Sequence, residues 1–236
     1  MSKIVAKNHE DLVSFYSGNG ADRSSIFEVW EDGGSRGDSV TPSTYSPEYR
    51  DWMADLLIGE LEHNGGGLLS LGCGNAAVEA QVARKGFRVL AVDAMEEAVA
   101  LARKKGLEAV CADIYQWQPD EPWNVIYIDG VLGHLYSAED GLLPVLARVR
   151  SWLEPRPESD PDRHAASLVA SNDAPNNGES VQKAPGVNGF HWLSAAYLRE
   201  QAIEAGFDRA ETREFSYNRP VSGPRTRAVM TGYLGR

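Results

Sequence analysis

Four residues stand where their type and spacing could do chemistry: Gly72 and Gly74, Asp93, and His134. The glycines follow the apolar run Leu68, Leu69, Ser70, Leu71, and a helical pattern comes after them. A strand ending in Gly-x-Gly before a helix lets bare backbone approach a ligand, because glycine carries no Cβ. Asp93 closes the next apolar run, about 20 residues beyond the glycines, where nucleotide-binding folds grip the two ribose hydroxyls of an adenosine. His134 lies just past a later apolar run and offers an imidazole suited to contacting or deprotonating a nucleophile near neutral pH. The plainer alternative is a neutral histidine hydrogen-bonded to backbone. An adenosine-bearing ligand is the first expectation, before any reaction is named.

Two ligand classes share this geometry. Dinucleotide binders use G-x-G-x-x-G, with a third glycine that would fall at Ala77, where alanine is tolerated. The wider pattern decides between them: Gly72-Cys73-Gly74-Asn75-Ala76, then Asp93 followed by Ala94, Met95 and a helix, and later Ala112-Asp113-Ile114. Over residues 66–155 it resembles the class I S-adenosylmethionine-dependent methyltransferases of small molecules.

The resemblance implies that Gly72, Cys73 and Gly74 face the methionine portion of the cofactor and that Asp93, with Ala94 beside it, holds the ribose. It implies Asp113 and Ile114 at the adenine, Asp129 and Gly130 beside the transferred methyl group, and Tyr16 closing over the cofactor. Tyr16 also reads as an ordinary core aromatic on an amphipathic helix. The chain departs from the family pattern twice. Ser70 stands where an acidic residue is usual, and Ala76 where a third glycine is common. A desolvated ammonium needs a partner, so backbone carbonyls or an acid from the amino-terminal segment are expected to receive it. On the acceptor side the candidates are Tyr45, His134, Asp173 and His191. Asp173 either binds a substrate amine or makes an Asx turn before Pro175, and His191 is either a pocket wall or part of a helix-capping region.

Composition limits the partners. At 236 residues the chain suits one α/β domain with a cap: residues 1–65 as a helical cap that does not fold alone, residues 66–236 as the cofactor-binding Rossmann-like domain. A net charge of -11 disfavours nucleic acid and favours a polar or cationic small molecule. Cys73 and Cys111 read as small core residues with no disulfide. No clustered His and Cys residues point to a metal. Without a signal-peptide core or an apolar run of membrane length, the expected location is the cytoplasm. A homodimer is left open.

The elements that must position these residues follow from periodicity. Helices are predicted at 9–16, 24–30 and 48–61, the last with Trp52, Leu56 and Leu57 as its buried stripe. Glu28, Glu31 and Asp32 read as a solvated charge cluster. Strands at 68–72, 87–92, 107–111, 123–129 and 166–171 alternate with helices at 76–85, 94–105, 139–153 and 193–205, the βαβ pattern of a parallel sheet. Segments 207–215 and 226–234 read as an antiparallel hairpin on its edge. The predicted fold is a three-layer α/β sandwich with a mostly parallel seven-stranded sheet. Residues 154–164 read as a solvated turn and 172–191 as a long connection from a strand tip. The function expected is S-adenosylmethionine-dependent methylation of a polar small molecule, with an amine favoured over a hydroxyl. The alternatives are an O-methyltransferase, a nicotinamide-dependent oxidoreductase lacking the hairpin, and a non-catalytic cofactor binder.

Overall fold

The computed structural model describes residue 16 and residues 25–34, 41–155, 166–185 and 189–235. The predicted helix 9–16 lies outside them except for Tyr16, and so does most of the predicted 154–164 turn. The first described helix, α1 (Ile26–Glu31), begins with a capping box: Ser25 Oγ accepts from the Glu28 amide, and Glu28 accepts from the Ser25 amide. After a 3-10 turn at Pro42–Thr44 comes α2 (Pro47–Asn64), with Ser46 as its N-cap, Pro47 in its first turn and Gly65 at positive φ ending it. Its buried stripe is Tyr49, Met53, Leu57 and Leu61 at i, i+4 spacing. Trp52 and Leu56, expected in that stripe, are only half-buried, because the face turned to the sheet is centred one position further round.

The main sheet has seven strands in the order β3-β2-β1-β4-β5-β9-β8. Its parallel part is β1 (Gly67–Leu71), β2 (Arg88–Asp93), β3 (Glu108–Cys111), β4 (Val125–Asp129) and β5 (Ser167–Asp173). The hairpin β8 (Arg209–Arg219) and β9 (Gly223–Tyr233) joins β5 antiparallel through β9. Both hairpin strands run further towards the turn than predicted. Between the parallel strands lie α3 (Ala77–Arg84), α4 (Glu96–Lys104), the one-turn α5 (Leu132–Leu135), α6 (Leu143–Arg150) and, after β5, α7 (Ala195–Glu204).

Strand periodicity sorts the core into two layers. Leu68, Val89, Ala91, Val125 and Tyr127 pack with α1 to α4 on one face. Leu69, Leu71, Leu90, Val92, Ile126 and Ile128 pack with α6 and α7 on the other. The chain leaves β1 towards β2 and β3, then returns to add β4 on β1's other side. This reversal opens a crevice at the carboxyl ends of β1 and β4.

Several expectations change. The predicted helix 139–153 shrinks to α6, because Ser137 to Gly141 is held as a turn by paired backbone bonds. The start of the predicted helix 193–205 is instead strand β7 (His191–Leu193), paired with β6 (Val181–Lys183) inside what read as a loop. Cys111 is exposed rather than buried, since β3 is the sheet's edge strand. No helix among the described residues is long and apolar enough to cross a membrane.

The hairpin is tied in by charge. Arg227, 1% exposed, donates from Nη2 to Asp129, from Nη1 to Asp173 Oδ1 at 3.0 Å and from Nε to Ser171 Oγ at 3.0 Å. Arg219 and the Tyr217 hydroxyl also reach the Asp173 carboxylate, the hydroxyl at 2.6 Å. Tyr49 of α2 closes the network, its hydroxyl 2.8 Å from Ser171 Oγ. Removing one member of a buried ion network strands the others. Arg227→Leu is therefore expected to lower the unfolding free energy by about 3 to 5 kcal/mol in a urea titration. A loss under about 1 kcal/mol would show that Arg227 does not neutralise the two aspartates.

Candidate active site

Gly72 leaves β1 at φ +76, and a Cβ there would sit 2.2 Å from Val131 Cγ2. Only glycine fits between the β1 tip and the loop after β4. The chain then turns back, with the Gly74 amide donating to Asp93 Oδ2 at 3.0 Å and the Met95 amide to Oδ1 at 3.0 Å. The glycine loop and the aspartate read from the sequence as acting together are thus directly bonded. Burial pushes the Asp93 carboxyl up to about 6, against the lowering effect of these amides and that of Ala94. Ala76, in the slot where the family commonly has glycine, is left-handed at φ 51 and ψ 38. It is the only non-glycine among the described residues with positive φ, a conformation costing roughly 1 to 2 kcal/mol for a residue with a Cβ.

Gly72, Gly74, Asp93 and Met95 line one cavity at the crevice between β1 and β4. Cys73 and Ala94 flank the glycine and aspartate. Asp113 and Ile114, with Tyr115 beyond them, form a second wall beside β3; the Asp113 carboxylate is itself held by the Tyr115 amide at 2.9 Å. Asp129 and Gly130 form the β4 side, Asp129 bonded to Arg227 behind it and accepting from the Tyr127 hydroxyl at 3.1 Å. A Cβ at Gly130 would lie 2.5 Å from Thr41 Oγ1, so the segment ahead of α2 presses directly onto this tip. Tyr16, Phe27 and Trp30 cover the front.

His134, on α5, also faces the cavity. One ring nitrogen, Nε2, is 3.0 Å from the Tyr16 hydroxyl, and the ring packs 4.5 Å from Phe190 between centroids. Burial, aided by neighbouring His191, pulls its pKa down to about 4. It is neutral at physiological pH.

Three predicted acceptor contacts are not among the cavity's lining residues. Tyr45 donates its hydroxyl to the Asn218 carbonyl at 2.8 Å, turned towards the hairpin. Asp173 is fully buried and engaged by Arg227 and Arg219, which hold its carboxyl below the usual range although burial alone would raise it. A side chain so paired has no oxygen to offer a substrate amine. His191 packs its ring at a tilt against Tyr136 with 4.6 Å between centroids, and its carbonyl accepts from Asn172 at 3.0 Å. It supports the His134 loop from behind: a Cβ at Gly133 would lie 2.3 Å from the His191 carbonyl oxygen. Nor is the Glu28, Glu31 and Asp32 group merely solvated. Glu28 completes the α1 capping box, and Glu31 binds Lys105 Nζ at 2.6 Å, fastening α1 to the end of α4.

The residue that sequence reasoning missed is Glu79. It lies on the buried face of α3 with Val78 and Val82, is 3% exposed, and lines the cavity. The Ser70 hydroxyl donates to its Oε1 at 2.6 Å. A signal was present, since an acid flanked by apolar residues on a helix's inner face calls for a partner. Burial lifts the Glu79 carboxyl to about 7, the Ser70 hydrogen bond opposing it. A carboxyl raised in the folded state favours folding most when protonated. That contribution is complete below about 4.5 and is lost as pH rises through about 7. Relative to the parent, Glu79→Gln is expected to gain about 1 to 3 kcal/mol of stability across this window and to level off above it. Thermal unfolding at a series of pH values checks this; a difference independent of pH would show that the carboxyl titrates normally.

Comparison with known proteins agrees with this geometry. Residues 68–156 match a family described as a methyltransferase domain. A tabtoxin biosynthesis enzyme of Pseudomonas amygdali pv. tabaci is 41% identical over 231 residues, covering 97% of this chain and 88% of that one. Among solved structures, the Burkholderia thailandensis 1,6-didemethyltoxoflavin-N1-methyltransferase, with 1,6-didemethyltoxoflavin and S-adenosylhomocysteine bound, superposes with a TM-score of 0.61 at 19% identity, covering 92% of this chain and 93% of that one. The magnesium protoporphyrin IX methyltransferase of Synechocystis PCC 6803, with S-adenosylhomocysteine bound, also gives 0.61, at 15% identity over 96% and 99% of the two chains. The glycine loop bonded to Asp93, the hairpin on the parallel sheet and these matches lead to one conclusion: the chain belongs to the class I S-adenosylmethionine-dependent methyltransferases.

Proposed function

We propose that this enzyme methylates a nitrogen of a polar, amine-bearing small molecule. The observation that carries the proposal is His134, a neutral, half-buried imidazole at the cavity wall beside the β4 tip. With its pKa near 4 it is poorly matched to pulling a proton from an alcohol during attack. With Nε2–H donating to the Tyr16 hydroxyl, Nδ1, which has no partner among the described residues, is left to accept a hydrogen bond from an N–H and so aim the nitrogen lone pair. The cavity's charge supports the same reading. Glu79, Asp93, Asp113 and Asp129 line it, no lysine or arginine is among its described lining residues, and of these four acids Asp129 alone is paired with a described arginine, from behind. Such a wall favours an acceptor with positive or polar groups over an anionic one. The relative named for tabtoxin biosynthesis supports an acceptor from specialised metabolism.

The residues present fit the cofactor. Glu79 is a buried carboxylate and Asp93 a half-buried one, neither paired with a cation among the described residues, and the bare backbone of Gly74 lies beside them on the cavity wall. In this reading Gly72, Cys73 and Gly74 hold the methionine portion, Asp93 and Ala94 the ribose, and Asp113 and Ile114 the adenine. When bound, the cofactor would supply an electrophilic methyl group on its sulfonium, with the thioether as the leaving group. The protein places that nitrogen in line and excludes water. Tyr16, Phe27 and Trp30 cover the front, Gly130 and Asp129 bound the side, and His134 orients the acceptor while Tyr16 fixes its ring. The methylated nitrogen then sheds its proton to solvent. Among the described residues ahead of β1, Tyr16, α1 and Thr41 to Thr44 serve in this reading as the cover of the strand tips.

Two variants separate the roles. Asp93→Ala is expected to weaken S-adenosylhomocysteine by about 1.5 to 3 kcal/mol, measured calorimetrically, through loss of a charge-assisted contact. His134→Ala is expected to leave that affinity within about twofold while lowering methyl transfer about 100-fold. Equal effects of both variants on cofactor affinity would contradict this division. An acceptor panel in which only hydroxyl compounds become labelled would refute nitrogen as the target.

A further inference from the structure

Glu79 is the most heavily buried carboxylate of the cavity wall without a positive partner. It is 3% exposed, and among the described residues its oxygens receive a side-chain hydrogen bond from Ser70 alone. None of the described ion pairs includes it. The charges facing it, Asp129 from β4 and Asp93 from β2, are negative and oppose its ionisation. The protein therefore keeps an ionisable acid where burial and its neighbours both disfavour the charge, with the Glu79 side chain facing the cavity. An arrangement of this kind is stable in its charged form only when a cation arrives from outside.

The position of its partner says which part of the ligand would bring that cation. Ser70 lies on β1 two residues before Gly72, the place where an acid is usual in this family and absent here. Its side chain points to the α3 face of the sheet and bonds the carboxylate delivered by that helix. The negative charge has thus moved about one side chain's length, from strand to helix, and remains beside the glycine loop.

We propose that Glu79, anchored by Ser70, receives the ammonium group of the cofactor's methionine portion and replaces the strand carboxylate missing at position 70. This rests on the cofactor reading given above. It assigns the ammonium to α3, neither to backbone carbonyls alone nor to the amino-terminal segment. Asp93, at the ribose end, serves the other half of the molecule, so the two carboxylates divide the ligand between them. Glutamine at 79 keeps the shape and the Ser70 contact but has no charge to offer.

Two ligands isolate the ammonium. S-adenosylhomocysteine carries it; 5′-methylthioadenosine has the same adenosine and thioether without the amino-acid group. Calorimetry with both is performed on the full chain and on Glu79→Gln. The expected result is a loss of roughly tenfold to a hundredfold in S-adenosylhomocysteine affinity, the size of a charged hydrogen bond, with 5′-methylthioadenosine unchanged within about twofold. Retained binding of 5′-methylthioadenosine also reports that the variant is folded. Should Glu79→Gln not fold, Ser70→Ala is read in the same way and is expected to show a smaller loss confined to S-adenosylhomocysteine. If the variant binds S-adenosylhomocysteine as the parent does, or loses both ligands equally, the assignment of Glu79 is overturned while the cofactor reading stands. If the parent binds neither ligand, it is the cofactor reading that falls.

Discussion

Taking a carboxylate out of water without a counter-cation is one of the more expensive things a protein can do, and this chain does it fully at Glu79 and in part at Asp93, in one cavity. Glu79 and Asp93 are both pushed well above the ordinary carboxylate range by burial. A third acid, Asp129, stands a strand away and is treated differently: Arg227, itself almost wholly buried, reaches it from the hairpin. The contrast separates framework from function. The acid that needs only to be held is supplied with an arginine, and the acids that face the ligand are left with amides and a hydroxyl. A ligand bearing a positively charged sulfur and an ammonium is the natural complement of what remains.

The architecture follows from that requirement. Parallel strands bring their carboxyl ends to one side, and the reversal of order at β1 and β4 opens the crevice there. Gly72 lets the β1 tip pass close to Val131, and the Gly74 amide carries the loop onto Asp93. The antiparallel hairpin extends the sheet on the far side and delivers Arg227 beneath the β4 tip. From the front, Tyr49 of α2 joins the same polar network. The walls of the cavity are consequently fixed by buried hydrogen bonds on three sides, while its front is covered mainly by aromatic rings of the preceding segment.

Much of this was readable from residues alone. The continuous apolar strands, the glycines and Asp93 are local signals, and a parallel sheet with an edge hairpin follows from them. What the sequence concealed were side chains whose partners lie far along the chain. Asp173 looks available at a strand tip until Arg219 and Arg227, more than forty residues later, close on it. Cys111 reads as core because its neighbours are apolar, and the edge position of β3 exposes it. Glu79 was hidden for the opposite reason: the gap at Ser70 is plain in the sequence, but only the packing of α3 against β1 shows which acid fills it. The turn at Ala76 was legible as a departure, though its left-handed backbone was not.

The most direct test of the account is a crystal structure of the enzyme with S-adenosylhomocysteine. The account predicts the ribose hydroxyls on the Asp93 carboxylate and the sulfur turned to the hollow enclosed by Tyr16, His134 and Gly130. A nucleoside bound elsewhere, or one whose ribose does not touch Asp93, would contradict it.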